Sequence, residues 1–374
     1  MKPARSCESS EAAQSQSASL VSHGDRKDQH VSLAMSLHDP SRLTPWADVS
    51  FVHHGLPDTR VDDVDIETEF LGTAWPCPFY INAMTGGTEA TGRLNAALAR
   101  AAGSAGVAIA SGSQHVALRD PSREHTFRVI RQASPSGFVM ANVGPTVSPR
   151  DAVRAVDMLE ANALQIHINV AQEIPMPEGD RDFTGWENSI EAIIEAVDVP
   201  VIVKEVGFGL SRRTIECLVD LGASAIDVAG NGGTDFIAIE TSRRPDGAFR
   251  DLIGWGQSAP LCLLESLHGR SPVSLPVLAS GAVRTPLDVV RGLALGACAV
   301  GASAHFLHTL TELGDEALYE EIVSWREQIR SVMALLGVQN IASLSTTDLF
   351  ITGTTGERAR LLGIDLERLA SRFS

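Results

Sequence analysis

Residues 164–173 (LQIHINVAQE) end an apolar run with four polar or ionisable side chains, His167, Asn169, Gln172 and Glu173. An imidazole, two amides and a carboxylate are groups that bind anions, coordinate metal ions or move protons. At the end of a buried strand such groups are costly unless a ligand, a metal or a reaction requires them. These four residues are therefore the first candidates for a functional site.

The strand that carries them is predicted over residues 163–170. Because strand side chains alternate between two faces, His167 and Asn169 are expected to share a face with Ala171, and the last two candidates to fall in the loop that follows. Any one of the four alone is equally well explained as a hydrogen-bonded strand end. Their number, and the charged loop at residues 177–183, favour a functional site.

Lys204 lies inside another apolar run, residues 201–206. Burying an unpaired ammonium group is expensive, so this side chain is expected to meet an anion or an electron-rich ring. Its neighbour Glu205 should point to the opposite face and pair with a surface cation.

Short β-rich segments recur along the chain and are separated by amphipathic stretches suited to helices. The strands are predicted at residues 79–84, 107–111, 137–142, 163–170, 200–206, 223–228, 276–280 and 297–301, and helices at 92–103, 150–160, 186–197, 211–221 and 286–295. Apolar strands alternating with helices indicate a parallel sheet of the α/β class.

Eight such units predict closure into a (β/α)8 TIM barrel, with an open doubly wound sheet as the alternative. Residues 235–275 are expected to form an irregular insertion, and residues 312–374 to form helices on the outside. Active sites of such barrels lie at the carboxyl ends of the strands, where the unusual residues of this chain fall.

Glycine- and serine-rich segments follow the last two predicted strands, SGAVRTP (280–286) and GAS (301–303). Barrels often bind a phosphate between these two loops, where helix N-termini present free N–H groups. Small residues also end earlier strands, as in NAMTGG (82–87). This combination suits flavin mononucleotide (FMN), with its ring across the barrel mouth. Two ordinary strand-to-helix turns are the alternative.

Composition narrows the classes of protein. The 374 residues carry a formal net charge of −16, which argues against a nucleic-acid partner. No apolar run reaches the eighteen or so residues of a membrane span, and no signal-peptide core is present, so no membrane association and a cytoplasmic location are expected. Residues 1–24 read as a disordered tail, and residues 25–374 as a single barrel domain with an N-terminal substrate-binding segment and a helical C-terminal extension.

Several common site types find no support in the chain. The five cysteines are scattered without a CxxC pair, which is typical of free thiols and not of a zinc site. No GxGxxG opens a βαβ unit, and neither a GxxxxGK[ST] loop, an HExxH helix nor a GxSxG elbow occurs.

The order and spacing of several segments resemble one family, the flavin-dependent type II isopentenyl-diphosphate isomerases. The resemblance runs from residue 26 to about residue 369. The segments are RKDQH (26–30), INAMTGG (81–87), GSQ (112–114), ANVG (141–144), QIHINVAQE (165–173), GDRDF (179–183), VKEVGFG (203–209), DVAGNGGTDF (227–236), ASGAVRT (279–285) and FITGTTGERA (350–359). The HxNxxQE string with the N-terminal Arg-Lys pair is the most specific of them.

The resemblance implies roles for the first candidates. His167 and Asn169 would help to bind the substrate diphosphate, Gln172 would lie beside the alkene and help to relay a proton, and Glu173 would bind the Mg2+ that bridges to the diphosphate. His167 and Gln172 are thus the expected catalytic residues. The other substrate contacts would be Arg26, Lys27, Ser113, Gln114 and His115.

The resemblance also implies a flavin site. The ring would contact Ala83, Met84, Thr85, Ser113, Asn142, Lys204, Ala229 and Thr234, and the phosphate would lie among Gly281, Ala282, Val283, Ala302 and Ser303. Reduced FMN would supply the acid/base group, NADPH would serve only to reduce it, and the protein would form tetramers or octamers.

Two positions depart from the family pattern. His115 stands where the family commonly has Arg, and Ala229 where it commonly has Ser, so one permanent charge and one hydrogen bond to the flavin are missing. Two other functions stay open. One is a flavin-dependent 2-hydroxyacid oxidoreductase on the same barrel, and the other is a non-catalytic flavin- or phosphate-binding module.

Overall fold

The structure is a computed structural model that describes residues 23–37 and 43–372, with side chains from residue 27 onward. The tail predicted for residues 1–24 lies outside the described residues except for its last two, because helix α1 already begins at His23.

Eight parallel strands close into a barrel, as the alternation of strands and helices predicted, and the open sheet is excluded. Three short strands precede them: β1 (Val49–Phe51), β2 (Thr68–Phe70) and β3 (Thr73–Trp75). The barrel consists of β4 (Phe79–Ile81), β5 (Ala108–Ala110), β6 (Val139–Val143), β7 (Ala163–His167), β8 (Val201–Lys204), β9 (Ala225–Asp227), β10 (Val277–Ser280) and β11 (Ala299–Ala302). Barrel strands that follow one another in the chain pair in parallel, and β11 pairs with β4 to close the barrel.

At least one helix follows every barrel strand, and further helices lie before and after the barrel in the chain. They are α1 (His23–Ser36), α2 (Glu89–Ala105), α3 (His115–Arg119), α4 (His125–Ala133), α5 (Pro149–Leu159), α6 (Val170–Glu173), α7 (Trp186–Ala196), α8 (Arg212–Asp220), α9 (Phe236–Ser242), α10 (Ala259–His268), α11 (Pro286–Ala294), α12 (Ala304–Leu313), α13 (Asp315–Leu335), α14 (Gly353–Leu361) and α15 (Leu366–Leu369). None of these helices is long and apolar enough to cross a membrane.

Local sequence signals explain several helix ends. Thr88 starts α2 with a reciprocal capping box, and the side chains of Ser148 and Ser211 cap α5 and α8. Gly106 ends α2 in the left-handed conformation, at φ +70°. Such ends return the chain to the barrel within a few residues.

The barrel strands are buried on both faces, and this produces two apolar layers. The inner layer is built mostly of small or unbranched side chains, such as Ala108, Ala163 and Ala225, and is closed at the amino end by Phe70 and Trp75 of the β2–β3 hairpin. The outer layer packs the strands against the helices. The strands thus provide a rigid frame for whatever their carboxyl ends carry.

Two expectations for single segments were wrong. The strand predicted over residues 163–170 ends at His167, and Ala171 belongs to the one-turn helix α6, so it does not continue the strand face. Residues 235–275 are not irregular throughout, since they contain α9 and α10. The helices predicted beyond residue 312 are present, and β12 (Leu349–Ile351) pairs with β1.

Candidate functional site

A cavity of about 1110 Å3 opens at the carboxyl ends of the barrel strands. It has two parts that we name here. The barrel wall consists of the strand ends and the turns directly after them; the outer rim consists of α1, α3, α6 and the residues 176–182 that follow α6. The predicted site residues that line the cavity are Lys27, Ala83, Met84, Thr85, Ser113, His115, Asn142, His167, Asn169, Gln172, Glu173, Lys204, Ala229, Thr234, Gly281, Ala282, Val283, Ala302 and Ser303.

Two predicted substrate contacts, Arg26 and Gln114, are not among the described residues that line the cavity. Arg26 belongs to α1, but its side chain lies outside the described residues. Gln114 was expected to contact substrate, yet it is fully buried and does not line the cavity. Its amide donates to the Ala155 carbonyl (2.9 Å) and accepts from the Asn142 N–H (2.9 Å). Gln114 therefore connects the backbone at Asn142 to helix α5 and does not contact the cavity.

A buried carboxylate that the sequence did not single out organises the barrel wall. Asp227 is fully buried at the end of β9 and accepts hydrogen bonds from Tyr80 (2.7 Å), Asn82 (2.8 Å) and Ser280 (2.8 Å). A charge without access to water requires such partners. The network joins the ends of β4, β9 and β10. Only the tertiary structure brings these residues together, so their separate strand-end positions gave no signal.

His167 is held in one orientation by Asn142. The Asn142 amide donates to Gln165 (3.1 Å), so its oxygen accepts from His167 Nδ1 at 2.7 Å. Burial, followed by the charges of Lys204, Lys27 and His115, lowers the pKa of His167 to about 3. Without a ligand this imidazole is neutral, and its unprotonated Nε2 faces the cavity next to Gly144.

Lys204 is buried at the end of β8, and its ammonium donates to the Glu205 carbonyl oxygen at 2.6 Å. Burial lowers its pKa, while Asp227 and Glu205 oppose that change. The side chain lines the barrel wall. Its position fits the expectation that it meets an electron-rich ring or an anion.

Glu205 corrects another expectation. It does not pair with a surface cation, because only 7% of the residue is exposed. One carboxylate oxygen instead accepts from three successive backbone N–H groups, those of Val206 (2.6 Å), Gly207 (2.8 Å) and Phe208 (2.6 Å). The sequence run alternated as a strand would, but the strand ends at Lys204 and the chain turns around the Glu205 side chain.

The two loops expected to hold a phosphate differ from each other. Thr285 and Asp288 close the N-terminus of α11 with a capping box, which binds the N–H groups of both residues, and Pro286 between them has no N–H. The N-terminus of α12 has no side-chain cap, and its Ser303 and Ala304 line the cavity. Of the two helices that were expected to present free N–H groups, α12 therefore has the more open N-terminus.

The barrel wall fits a flat ligand with polar edges. A Cβ atom on Gly281 would lie 2.0 Å from the Gly230 oxygen, so these two turns touch through bare backbone. Ala229 and Ala282 both adopt positive φ, +37° and +60°, and such strain is typical of functional sites. The Thr85 hydroxyl is buried and has no hydrogen-bond partner among the described residues. A hydroxyl in this state awaits a ligand atom. The residues present therefore fit FMN.

Glu173 lies on the outer rim, at the end of α6. Its two carboxylate oxygens accept from the Asn169 amide (2.7 Å) and from the Asp180 N–H (2.8 Å), which fixes their direction. The described residues contain no group of three or more His, Cys, Asp or Glu that could hold a metal alone. One oriented carboxylate fits Mg2+, which usually takes few protein ligands and completes its shell with water and phosphate oxygens.

A second carboxylate, which was not predicted from the sequence, lies beside Gln172. Glu240 of α9 is fully buried and lies 2.9 Å from His30 Nε2 of α1, and the Gln172 amide donates to it at 3.4 Å. Burial opposes its ionisation, but His30 and Arg243 outweigh that effect and lower the pKa of Glu240. A carboxylate within an apolar helix (FIAIETS) was the available signal.

Comparisons with known proteins agree with this geometry. The family of FMN-dependent dehydrogenases matches residues 117–350. Among solved structures, a flavocytochrome b2 variant is similar over 87% of this chain and 83% of its own, with a TM-score of 0.60 and 22% identity. A mandelate oxidase variant with a C4a-OH-FMN adduct covers 87% and 92%, with a TM-score of 0.59 and 18% identity. At these identities the likeness concerns the fold.

Sequence relatives are much nearer. The isopentenyl-diphosphate delta-isomerase of Streptomyces sp. (strain CL190) is 52% identical over 355 residues, which is 95% of this chain and 97% of the relative. The protein with the same name from Latilactobacillus sakei subsp. sakei (strain 23K) is 47% identical over 334 residues, or 89% and 94% of the two chains. Both alignments cover most of this chain.

Proposed function

Since the chain belongs to the isopentenyl-diphosphate delta-isomerases, within the FMN-dependent dehydrogenase family, we propose that it interconverts isopentenyl and dimethylallyl diphosphate with bound FMN and Mg2+. The observation that carries the proposal is one cavity that is lined by His167, Asn169, Gln172 and Glu173 and also by small residues of the barrel wall, such as Gly281 and Ala282. Four polar groups thus share one cavity with a surface suited to a flat ring.

FMN would lie against the barrel wall. Thr85 would bond its ring, Lys204 would stabilise negative charge on it, and the open N-terminus of α12 would hold its phosphate. The other proposed contacts are Ala83, Met84, Ser113, Asn142, Ala229, Thr234, Gly281, Ala282, Val283, Ala302 and Ser303. When reduced, the flavin would supply the proton-transferring group, and NADPH would be needed only to reduce it.

The diphosphate would bind at the outer rim. Lys27 and Arg26 of α1, with His115 of α3, would supply positive charge, and Asn169 a neutral donor. His167 would have to gain a proton at Nε2 to donate to a phosphate oxygen. An approaching anion favours that step, because it raises the pKa of His167 above its value without ligand. Glu173 would hold Mg2+ against the same phosphates.

Gln172 would lie beside the alkene carbons. Its amide already contacts Glu240, which is in turn oriented by His30 and Arg243. The isomerisation adds a proton at one carbon and removes one at another, so the chain must hold the alkene still and exclude water. We propose that Gln172 orients the substrate and helps to relay the proton, and that Glu240 fixes Gln172.

Three further statements belong to the proposal. The protein acts as a homo-oligomer, tetramer or octamer, it works in the cytoplasm, and its substrate is a small prenyl diphosphate. Sedimentation of the purified protein tests the first of these, since a monomer at working concentration would contradict it.

The decisive assay supplies isopentenyl diphosphate, FMN, Mg2+ and a reductant to the pure protein without oxygen. Dimethylallyl diphosphate should form, with far less than one equivalent of NADPH consumed per product. The alternative, a 2-hydroxyacid oxidoreductase, predicts instead that a hydroxy acid reduces the bound flavin stoichiometrically. Absence of the isomerised product under these conditions would contradict the proposal.

A further inference from the structure

A single peptide unit separates Lys204 from the carboxylate of Glu205. The carbonyl oxygen of the 205–206 peptide accepts from the Lys204 ammonium at 2.6 Å. The N–H of the same peptide donates to Glu205 Oε2, also at 2.6 Å. A peptide bonded at both ends in this way can turn only if one of the two bonds is lost, because the unit is planar.

The same carboxylate fixes the turn beyond that peptide. Oε2 also accepts from the N–H groups of Gly207 and Phe208. Gly207 has a φ of +138°, which few residues adopt, and a Cβ there would lie 2.9 Å from the Thr234 oxygen. Val206, Gly207 and Thr234 all line the main cavity. The carboxylate therefore shapes a stretch of the barrel wall that it does not itself touch.

Glu205 lies on the side of the barrel wall that faces away from the main cavity. It lines a second cavity of about 430 Å3, whose other walls are mostly apolar, such as Ile168, Ile174 and Leu252. The main cavity contacts Lys204 on one side of the 205–206 peptide, and the second cavity contacts the Glu205 side chain on the other. Burial raises the pKa of this carboxyl to about 7, although three backbone N–H donors and Lys204 oppose the rise. Burying an ionisable carboxyl group among apolar residues costs free energy, so we infer that Glu205 has a function.

We propose that Glu205 is a positioning residue for flavin binding, which holds the 205–206 peptide so that its carbonyl aims the Lys204 ammonium at the flavin. The inference rests on the flavin site proposed above. Hydrogen bonds in a chain strengthen one another, so the carboxyl oxygen that accepts from the peptide N–H also makes the carbonyl of the same peptide a better acceptor for the ammonium. Glu205 touches neither flavin nor substrate in this account.

FMN affinity of Glu205 variants, measured by fluorescence titration of the flavin-free protein, tests this role. Glu205→Ala removes the acceptor and should weaken FMN binding by about tenfold to a hundredfold, the range for a hydrogen bond to a charged group. Glu205→Gln keeps a neutral oxygen and should restore part of the loss. It also serves as the folded alternative where the alanine variant does not fold.

A double-mutant cycle separates positioning from general support of the loop. If Glu205 acts through Lys204, then Glu205→Gln should change the affinity and the visible spectrum of bound FMN in the wild type but not in a Lys204→Met background. The matched control is Asp48→Asn, since the Asp48 carboxylate holds a turn through the Thr355 N–H (3.0 Å) away from both cavities. This control should bind FMN like the wild type.

The outcomes are distinct. Wild-type affinity in both Glu205 variants, or equal losses with and without Lys204, overturns the positioning role. If those results accompany normal isomerase activity, the proposed function stands and only this inference fails. If the wild type neither binds FMN nor isomerises the substrate, both fail together.

Discussion

The barrel wall and the outer rim of the main cavity are formed by different kinds of structural element. The barrel wall consists of strand ends and tight turns in which Asp227 ties three strands together and bare backbone meets bare backbone at Gly281. The outer rim consists of short or separate pieces, helix α1, the one-turn helix α6 and the residues after it. Its polar groups depend on one another, as Glu173 does on Asn169.

The difference separates two tasks. A cofactor that stays bound needs a preformed surface, which a closed barrel supplies at little cost in flexibility. A substrate that must enter and leave needs charged groups on elements that can shift. We therefore expect substitutions in the barrel wall to change FMN affinity, and substitutions in the outer rim to change turnover and substrate binding while FMN is retained.

The largest effect is expected for Glu173→Gln at the outer rim. Losing the proposed Mg2+ ligand should lower turnover by on the order of a hundredfold to a thousandfold, the range for removing electrostatic stabilisation at a reacting group. FMN affinity should stay within about twofold of the wild-type value, because substitutions at distant sites act almost independently. Glu327→Gln, an equal charge change on the outer helix α13, is the control. Unchanged turnover would remove the metal assignment.

Lys204→Met is a substitution in the barrel wall. Methionine fills the buried space, but the ammonium that would face the flavin is gone, so FMN affinity should fall by about tenfold to a hundredfold. Fluorescence titration measures this loss. The Michaelis constant for substrate at saturating FMN should change much less. A variant that binds FMN normally but loses substrate binding would reverse the assignment of the two parts.

Thr85→Val gives a smaller and more diagnostic change. The hydroxyl has no partner among the described residues, so removing it should not lower the stability of the flavin-free protein in urea unfolding. FMN affinity should nevertheless fall by about threefold to tenfold, the range for one neutral hydrogen bond. Loss of stability without loss of FMN affinity would mean that the hydroxyl serves the fold.

The smallest effects concern stability against pH, where His167 and Glu205 act in opposite directions. His167 has a folded pKa of about 3 against an ordinary 6.5, so the unfolded chain binds the extra proton and stability rises with pH between those values. Glu205 has a folded pKa of about 7 against 4.5, so the folded chain binds the extra proton and stability falls as pH rises through that window.

Variants reveal each contribution separately. Unfolding of flavin-free protein between pH 4.5 and 6.5 should show a more negative slope of stability in His167→Gln and a more positive slope in Glu205→Gln, relative to the wild type. Parallel curves for all three proteins would show that neither group is shifted in the folded state.

The fold of the barrel wall was largely predictable from sequence, because the periodicity and spacing of the apolar strands predicted the barrel and its strand order. The proposed flavin contacts came from the resemblance to the isomerase family, and every one of them lines the cavity. The exceptions have local causes. Gln114 turned inward because its amide satisfies buried backbone groups, and Glu205 left the strand face because three N–H groups bind its carboxylate.

The outer rim was predictable only in part. Asn169 was expected on the strand and Glu173 in the loop after it. In the structure Asn169 directly precedes helix α6 and Glu173 ends that helix, so one helical turn brings the two side chains together. The contact between His30 and Glu240 joins residues far apart in the chain, and no local pattern encodes such a distance. Long-range electrostatic pairs of this kind become visible only when the helices are packed.

We propose above all that this chain holds a reduced flavin next to the alkene of the substrate, and that the flavin is not oxidised during turnover. The most direct measurement follows dimethylallyl diphosphate formation by the purified protein with oxidised FMN, and then after anaerobic reduction of the same sample. We expect no product before reduction and many turnovers per flavin afterwards, with no further reductant consumed. Equal activity in both states, or one reductant consumed per product, would contradict it.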